Sequence, residues 1–203
     1  MNVSEANSNT APVAGSNQPD VRPYVIRTYD RWLILILVLA VGWLIFRPLF
    51  AFSVYYRGVS YERMLRLNIA EHYYRKSTRV DPKVPDGWLA WGELYLMRAP
   101  SDAVAGKEAV RIFSEGLTYN PQFKQLAFDL GRTYFIRKDF RDARIAFERS
   151  AQIAPQDMFS WDFAAWSSFH DGDRQLALKY WHQVLKIDPG NATARRAIAQ
   201  YGT

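Results

Sequence analysis

The chain contains no cysteine among its 203 residues. Disulfide bonds, thiol catalysis, iron–sulfur clusters and cysteine-ligated zinc are therefore all excluded. The absence does not identify the compartment, because both a reducing cytosol and an oxidising periplasm accept a chain without thiols.

Histidine is also scarce, and it does not occur at metal-ligand spacing. The three histidines, His72, His170 and His182, lie far apart in the sequence, and there is no HExxH motif, glycine-rich phosphate loop or GxSxG elbow. Asp171 and Asp173 follow His170, but the Asp-Gly-Asp sequence there is typical of a turn between helices. We therefore expect no enzymatic activity, no cofactor, no metal and no small-molecule substrate.

Basic residues exceed acidic ones, with a formal net charge of +6. The excess is spread along the chain and no nucleic-acid-binding motif accompanies it, so we expect no nucleic-acid partner. Several basic residues follow the apolar segment described next, between residues 57 and 79. They favour either contact with anionic lipid headgroups or the ordinary solubility of exposed helices.

Residues 32 to 46 are all uncharged and mostly aliphatic. A span from near Arg31 to near Phe52 reaches the length of about 20 residues that a bilayer requires, and aromatic residues flank it at both ends. A signal peptide would begin nearer Met1 and end at small residues, and a soluble core helix would show a polar face. The segment 29–56 is therefore predicted to be a transmembrane anchor with its flanks, after a disordered polar tail at 1–28.

A period of 34 residues organises the remainder, with Pro121, Pro155 and Pro189 standing 34 residues apart. Other positions repeat in the same register: alanine at 109, 143 and 177, and a large aromatic at 113, 147 and 181. This period is typical of stacked helical hairpins. A fourth, weaker copy precedes these, with Ala70, Tyr74 and Pro82 at the same spacing.

The central copy resembles the tetratricopeptide repeat family. It carries Gly131 and Ala143 where two helices must approach closely, with Tyr134, Phe147 and Pro155 at the positions of large aromatic and helix-ending residues. The resemblance implies an all-α fold: one transmembrane helix, then an α-solenoid of three to four helical hairpins and a capping helix. The expected segments are a partial or degenerate repeat at 57–84, a repeat with an inserted loop at 85–122, repeats at 123–156 and 157–190, and the capping helix and C-terminus at 191–203.

The resemblance also implies a partner-binding groove lined by the first helix of each pair. Its expected residues are Glu93, Leu96, Met97, Gln125, Phe128, Arg132, Phe135, Asp162, Trp166, Phe169 and His170. The large aromatics among them either anchor a partner or pack inside the superhelix, and the sequence leaves both interpretations open. Arg132 stands without a second basic groove residue, so we do not expect a clamp for a terminal carboxylate.

The expected function is that of a membrane-anchored adaptor, which binds a membrane-associated protein partner and supports the assembly or maintenance of a membrane complex. The alternative is a permanent structural subunit whose anchor packs against other transmembrane helices. Basic residues on the two sides of the anchor balance, so charge does not set the orientation. The resemblance to bacterial proteins of this architecture favours a single-pass protein of the inner membrane with its repeats in the periplasm.

Overall fold

Helices make up the part of the chain that the computed structural model describes, residues 28–202. No strand occurs within these residues. The helices are α1 (Thr28–Arg63), α2 (Leu67–Val80), α3 (Pro85–Leu96), α4 (Ala103–Tyr119), α5 (Lys124–Ile136), α6 (Phe140–Ile153), α7 (Met158–His170), α8 (Arg174–Ile187) and α9 (Ala192–Tyr201). The predicted all-helical architecture is confirmed. The predicted disordered tail lies outside the described residues except for Thr28.

The chain divides into two units, Met1–Ala40 and Val41–Thr203. In the first unit, the described residues belong to the start of α1, and apolar side chains such as Trp32, Leu33 and Leu39 are exposed. In the described part of the chain, α1 is the one helix long and apolar enough to cross a membrane. Length and composition alone support this, and a signal sequence near an N-terminus passes the same test.

Within the second unit, α1 changes from an exposed apolar helix into a packed one. Apolar side chains remain exposed up to Leu49 and Phe50, whereas Ala51 and Val54 are buried. Pro48 lies inside α1 without ending it, so the boundary between the expected anchor at 29–56 and the expected partial repeat at 57–84 falls within one helix. The same helix therefore carries an exposed apolar part and a part that packs on the rest of the unit.

The last turns of α1 pack on α2. Ser77 Oγ donates a hydrogen bond to the carbonyl oxygen of Ala51 at 2.8 Å. A Cβ placed on Gly58 would lie 2.5 Å from the ring of Tyr74, so the two helices approach closely only because residue 58 lacks a side chain.

The same close contact recurs in the following helix pairs. A Cβ on Gly92 of α3 would lie 2.3 Å from the ring of Phe113 in α4, and a Cβ on Gly131 of α5 would lie 2.7 Å from Phe147 in α6. In α7 the corresponding residue is Ala165, which is fully buried. Each pair thus uses a small residue on its first helix to admit a large ring from its second.

Turns between paired helices share a backbone feature. Leu65, Lys138 and Gly172 each have a positive φ, and they stand after α1, α5 and α7 respectively. A left-handed residue directly after a helix lets the chain reverse tightly, at a cost for residues other than glycine. Between α3 and α4 the chain instead runs through residues 97–102, inside the repeat 85–122 for which the sequence predicted an inserted loop.

Two clusters of buried side chains form the core. The first is centred on Tyr74, Trp88 and Phe113, and the second on Phe147 and Trp181. Both lie where the rings of the second helices meet the small residues of the first. The residues that the sequence assigns to the groove lie on the first helices of the pairs.

Candidate partner-binding groove

The first helices of the pairs, α3, α5 and α7, carry the predicted groove residues. Besides packing on its partner in the hairpin, α3 contacts α5 directly. The ring of Phe128 in α5 meets that of Phe163 in α7, so residues of all three first helices lie on one surface. We call this surface the groove face and describe it from its α3 end to its α7 end.

At the α3 end, the three predicted residues differ in accessibility. Glu93 and Met97 are exposed, and Met97 has 62% of its surface accessible. Leu96 is only 4% exposed and packs in the first core cluster, so it presents no surface to a partner. A helix buries every third or fourth residue, and Leu96 falls on the buried side of the last turn of α3.

Glu93 lies in an acidic environment. Desolvation raises the pKa of its carboxyl group, the carboxylates of Asp129 and Glu62 raise it further, and Arg132 partly opposes them. One further carboxylate, that of Asp86 on the first turn of α3, belongs to the same region, because Asp86, Glu93 and Glu62 all act on Tyr55. The α3 end of the groove face is therefore negatively charged.

The polar residues of α5 form one network around Asp129. This carboxylate is fully buried; it accepts a hydrogen bond from Arg132 Nη1 at 2.8 Å and another from Gln125 Nε2 at 3.0 Å. Arg132 is therefore already neutralised by a carboxylate of its own helix. The sequence analysis did not single out Asp129, although its spacing of four residues from Gln125 and three from Arg132 is the signal that places the three on one face.

The aromatic groove residues of α5 are half-buried and pack on one another. Phe128 meets the ring of Phe147 at a centroid distance of 5.4 Å and that of Phe163 at 5.5 Å. Phe135 also contacts Phe163, at 6.3 Å. Phe163 thus joins α7 to α5 and is a structural residue that the sequence analysis did not name.

The aromatic groove residues of α7 pack towards the C-terminus. Trp166 lies 5.1 Å from Trp181, and Phe169 lies 4.4 Å from Tyr201 of the last helix. Both rings are half-buried against the second core cluster. These aromatics consequently contribute to packing and offer only part of their surface to a partner.

Asp162 and His170 complete the predicted set. Asp162 accepts a hydrogen bond from the indole of Trp181 at 3.2 Å, and burial raises the pKa of its carboxyl group. His170 is exposed and stacks on Phe140 at 4.9 Å. Within residues 28–202, no group of three or more His, Cys, Asp or Glu side chains is placed to hold a metal ion.

Residues 106–157, which include α5 and α6, match a family model described as tetratricopeptide repeat. The crystal structure of MamA is similar, with a TM-score of 0.59 and 17% sequence identity over 70% of this chain and 80% of that one. This chain has the tetratricopeptide-repeat fold.

Two other solved tetratricopeptide-repeat structures have related folds. A thermophilic TPR protein from Thermus thermophilus gives a TM-score of 0.56 and 15% identity, covering 72% of this chain and 79% of that one. The first TPR of Spaghetti (RPAP3), bound to the HSP90 peptide SRMEEVD, gives a TM-score of 0.50 and 17% sequence identity. The similarity covers 57% of this chain and 87% of that one. Comparison with curated protein sequences gives no match.

Proposed function

We propose that this chain is a membrane-anchored tetratricopeptide-repeat adaptor that holds a protein partner beside the bilayer. The anchor is the apolar first part of α1, and the groove face of α3, α5 and α7 binds the partner. Confinement to the membrane raises the effective concentration of any partner there, which suits a role in assembling or maintaining a membrane-associated complex. The proposal includes no catalytic role.

The observation that carries the partner assignment is the charge of the groove face. Glu93 is exposed beside Asp129 and Glu62, while the one basic groove residue, Arg132, is paired with Asp129. Exposed Met97 adds an apolar contact. We infer that the partner presents a segment with Lys or Arg beside apolar side chains, because opposite charges across an interface steer binding and select the partner.

The groove charge also separates this chain from one of its structural neighbours. The peptide SRMEEVD bound by the first TPR of Spaghetti carries three acidic residues. The acidic α3 end of the groove face would repel such an acidic sequence. Recognition of a basic segment is the distinguishing feature of the proposal.

Photocrosslinking in intact membranes tests the partner assignment. A photoreactive residue at Met97 or Arg132 should give a discrete adduct, whose crosslinked peptide carries a net positive charge. A photoreactive residue at Ile145, which is 50% exposed on the second helix α6, is the matched control and should not give that adduct. An adduct common to all three positions, or a crosslinked segment that is acidic, would contradict the groove assignment.

Two substitutions test the same surface by partner recovery. Met97→Ser and Glu93→Gln should lower recovery, because each removes an exposed groove contact without opening a cavity. Ile145→Ser is the control, since it removes a comparable apolar side chain from the other surface and should leave recovery unchanged. Phe128→Ala and Trp166→Ala are less informative, because both rings pack against buried aromatics and their removal also lowers stability.

Mild detergent extraction separates the adaptor from a permanent structural subunit. An adaptor exchanges its partner, so recovery should fall when unlabelled partner or salt is added. A structural subunit stays bound at a fixed ratio whatever the groove substitution. That second outcome would assign the binding surface to the exposed apolar side chains of α1 and not to the groove face.

The proposed location is the bacterial inner membrane, with the repeats in the periplasm. The resemblance to bacterial anchored repeat proteins supports this orientation, and a chain without cysteine is compatible with an oxidising compartment. The same absence simplifies the test, because Lys107→Cys would provide the single thiol. Labelling of intact cells by a membrane-impermeant maleimide would support the periplasmic side, and labelling only after lysis would contradict it.

A further inference from the structure

A cavity of about 570 Å³ opens between the second helices α2 and α4, on a different surface from the groove face. Three helices supply four arginines to it: Arg47 from α1, Arg75 and Arg79 from α2, and Arg111 from α4. Among its lining residues in the described part of the chain, Glu115 is the one carboxylate. We call it the arginine cavity.

Two of the four guanidinium groups have partners within the protein. Arg111 binds Glu108 at 2.9 Å and Glu115 at 3.0 Å. Arg47 donates to the carbonyl oxygen of Val80 at 2.6 Å, and it lies 3.9 Å from Asp81. These contacts hold both side chains at the edge of the cavity.

Arg75 and Arg79 are different. Both are exposed, and neither has a carboxylate partner anywhere in residues 28–202. They stand four residues apart on α2, so they project from the same face of that helix. Like charges at this spacing repel each other, and within residues 28–202 neither forms an ion pair that offsets the repulsion.

One residue of the cavity wall carries an unsatisfied polar group. Trp91 lines the cavity and is 7% exposed, and its indole N–H has no hydrogen-bond acceptor. The guanidinium carbon of Arg111 lies 5.2 Å from the centroid of the same indole ring. A buried donor without an acceptor is unfavourable, and here it belongs to a residue of the cavity wall.

The next repeats contain an equivalent cavity with different chemistry. It lies between α6 and α8, its volume is about 410 Å³, and Trp161 lines it as Trp88 lines the first. The two tryptophans make the same bond, from the indole N–H to the carbonyl oxygen of Pro155 and Pro82 respectively. In this register Glu148 stands at the position of Arg75, and the basic residues that line the second cavity are Lys179 and Lys186. The fold therefore provides both cavities, and the group of four arginines belongs to the first.

We propose that the arginine cavity binds a phosphate group. Guanidinium groups bind phosphate oxygens through paired charge-assisted hydrogen bonds, and a phosphate offers enough oxygens for several donors at once. An anionic phospholipid headgroup and a soluble phosphate compound share this chemistry. The phosphate assignment rests on the cavity alone.

The position of Arg47 favours the headgroup as the source. It directly follows Phe46, and the side chains at 43 to 46 are apolar and exposed in the same unit. If α1 is the anchor proposed above, the arginine cavity borders the headgroup layer, where basic side chains attract anionic lipid. The headgroup source therefore rests on the proposed function, whereas phosphate binding does not.

The test uses the full chain in a non-ionic detergent, with tryptophan fluorescence or native mass spectrometry to follow binding. The probes are phosphatidylglycerol, phosphatidylcholine and inorganic pyrophosphate, at constant ionic strength. Arg75→Gln with Arg79→Gln removes the two unpaired charges. Lys179→Gln with Lys186→Gln is the matched control, because it removes two charges from the equivalent cavity.

The phosphate proposal requires saturable binding of an anionic probe that the arginine pair of substitutions weakens by about tenfold or more, about 1.4 kcal/mol. The lysine pair should change that binding by less than about twofold. Selective binding of phosphatidylglycerol identifies the lipid source, and binding of pyrophosphate alone identifies a soluble one. Equal weakening by both pairs of substitutions, or no saturable binding of either anion, would overturn the proposal.

Membrane attachment is measured separately, by whether the full chain floats with phosphatidylcholine vesicles. Loss of flotation with retained pyrophosphate binding would refute the anchor and leave the phosphate site standing. Retained flotation without anion binding would support the anchor and refute the phosphate site. A thermal unfolding curve for each variant confirms that the substitutions leave the fold intact.

Discussion

Substituting Gly131 by alanine tests the packing of the hairpin directly. Gly131 is buried in the middle of α5, and a Cβ there would lie 2.7 Å from both Cδ1 and Cε1 of Phe147 and 2.9 Å from its Cγ. These distances are shorter than real side chains tolerate. Either the ring or the helix must therefore move when a methyl group is added.

The ring has little freedom to move. Phe147 is fully buried, and its ring lies 5.4 Å from that of Phe128 and 5.2 Å from that of Phe163. Inserting a methyl group into such a core costs about 1–3 kcal/mol. Replacing glycine by alanine inside a helix stabilises the helix by about 0.8–1 kcal/mol. We therefore expect a net loss of up to about 2 kcal/mol. Each kcal/mol lowers Tm by about 2–4 °C in a domain of this size.

Gly106→Ala is the matched control. Gly106 is also buried in a helix, α4, but the nearest atoms to an added Cβ are the flexible Cγ and Cδ of Arg137, both at 3.3 Å. Arg137 can shift by a few tenths of an ångström, so the helix propensity should dominate. We expect a gain of up to about 0.5–1 kcal/mol.

Thermal unfolding of the full chain in detergent, followed by circular dichroism, measures both variants. A second change, Phe147→Leu, should cost less stability when combined with Gly131→Ala than on its own, because it makes room for the new methyl group. A stable Gly131→Ala variant would refute the close contact. A change in stability equal to that of Gly106→Ala would show that glycine itself, and not the ring, determines the effect.

Three further predictions concern single residues. Because desolvation and Asp129 raise the pKa of Glu93, its ionisation opposes folding, and stability falls as pH rises from the ordinary carboxyl pKa to that raised pKa. Glu93→Gln should therefore raise Tm at neutral pH and leave it unchanged in acid below the ordinary carboxyl pKa; a gain that persists in acid would contradict this. Burial and the hydrogen bond to Glu148 raise the pKa of Tyr180 to about 12, so its contribution is complete below the unfolded value of about 10 and is lost as pH rises towards 12. Alkaline unfolding of Tyr180→Phe should lack that component, which a pH titration of the wild type and the variant compares directly. Lys138→Gly should stabilise the chain by about 1 kcal/mol in thermal unfolding, since Lys138 has a φ of 65° and glycine adopts it without the steric penalty; an unchanged Tm would show that the turn is unstrained.

The repeat register could be predicted from the sequence because its physics is local and periodic. A helical hairpin needs a small residue opposite a large ring, and the spacing of Gly131, Ala143 and Phe147 displays that requirement without any structure. The all-helical fold follows from it. The segment boundaries drawn around each repeat stay predictions.

The groove was harder to predict, because accessibility depends on neighbours that are distant in sequence. Leu96 and Met97 are adjacent, yet one is buried in the core and the other is 62% exposed. The aromatics assigned to binding or packing are half-buried, since Phe163 and Tyr201 come from other helices to cover them. The sequence pattern of a single helix does not predict which side chains of other helices will cover it.

The amino-acid sequence by itself determined that the fold is all-helical, with the 34-residue period of helical hairpins, and that one long segment is apolar, because hydrophobic periodicity and length are properties of the chain. Only the tertiary structure decided where α1 turns from an exposed helix into a packed one, that Asp129 neutralises Arg132, and that arginines from α1, α2 and α4 converge on one cavity. Electrostatic interactions depend on the distance between charges in space and not on their separation in the sequence. Arg47 and Arg111 are 64 positions apart in the chain (111 − 47), and they line the same cavity only after the helices have stacked.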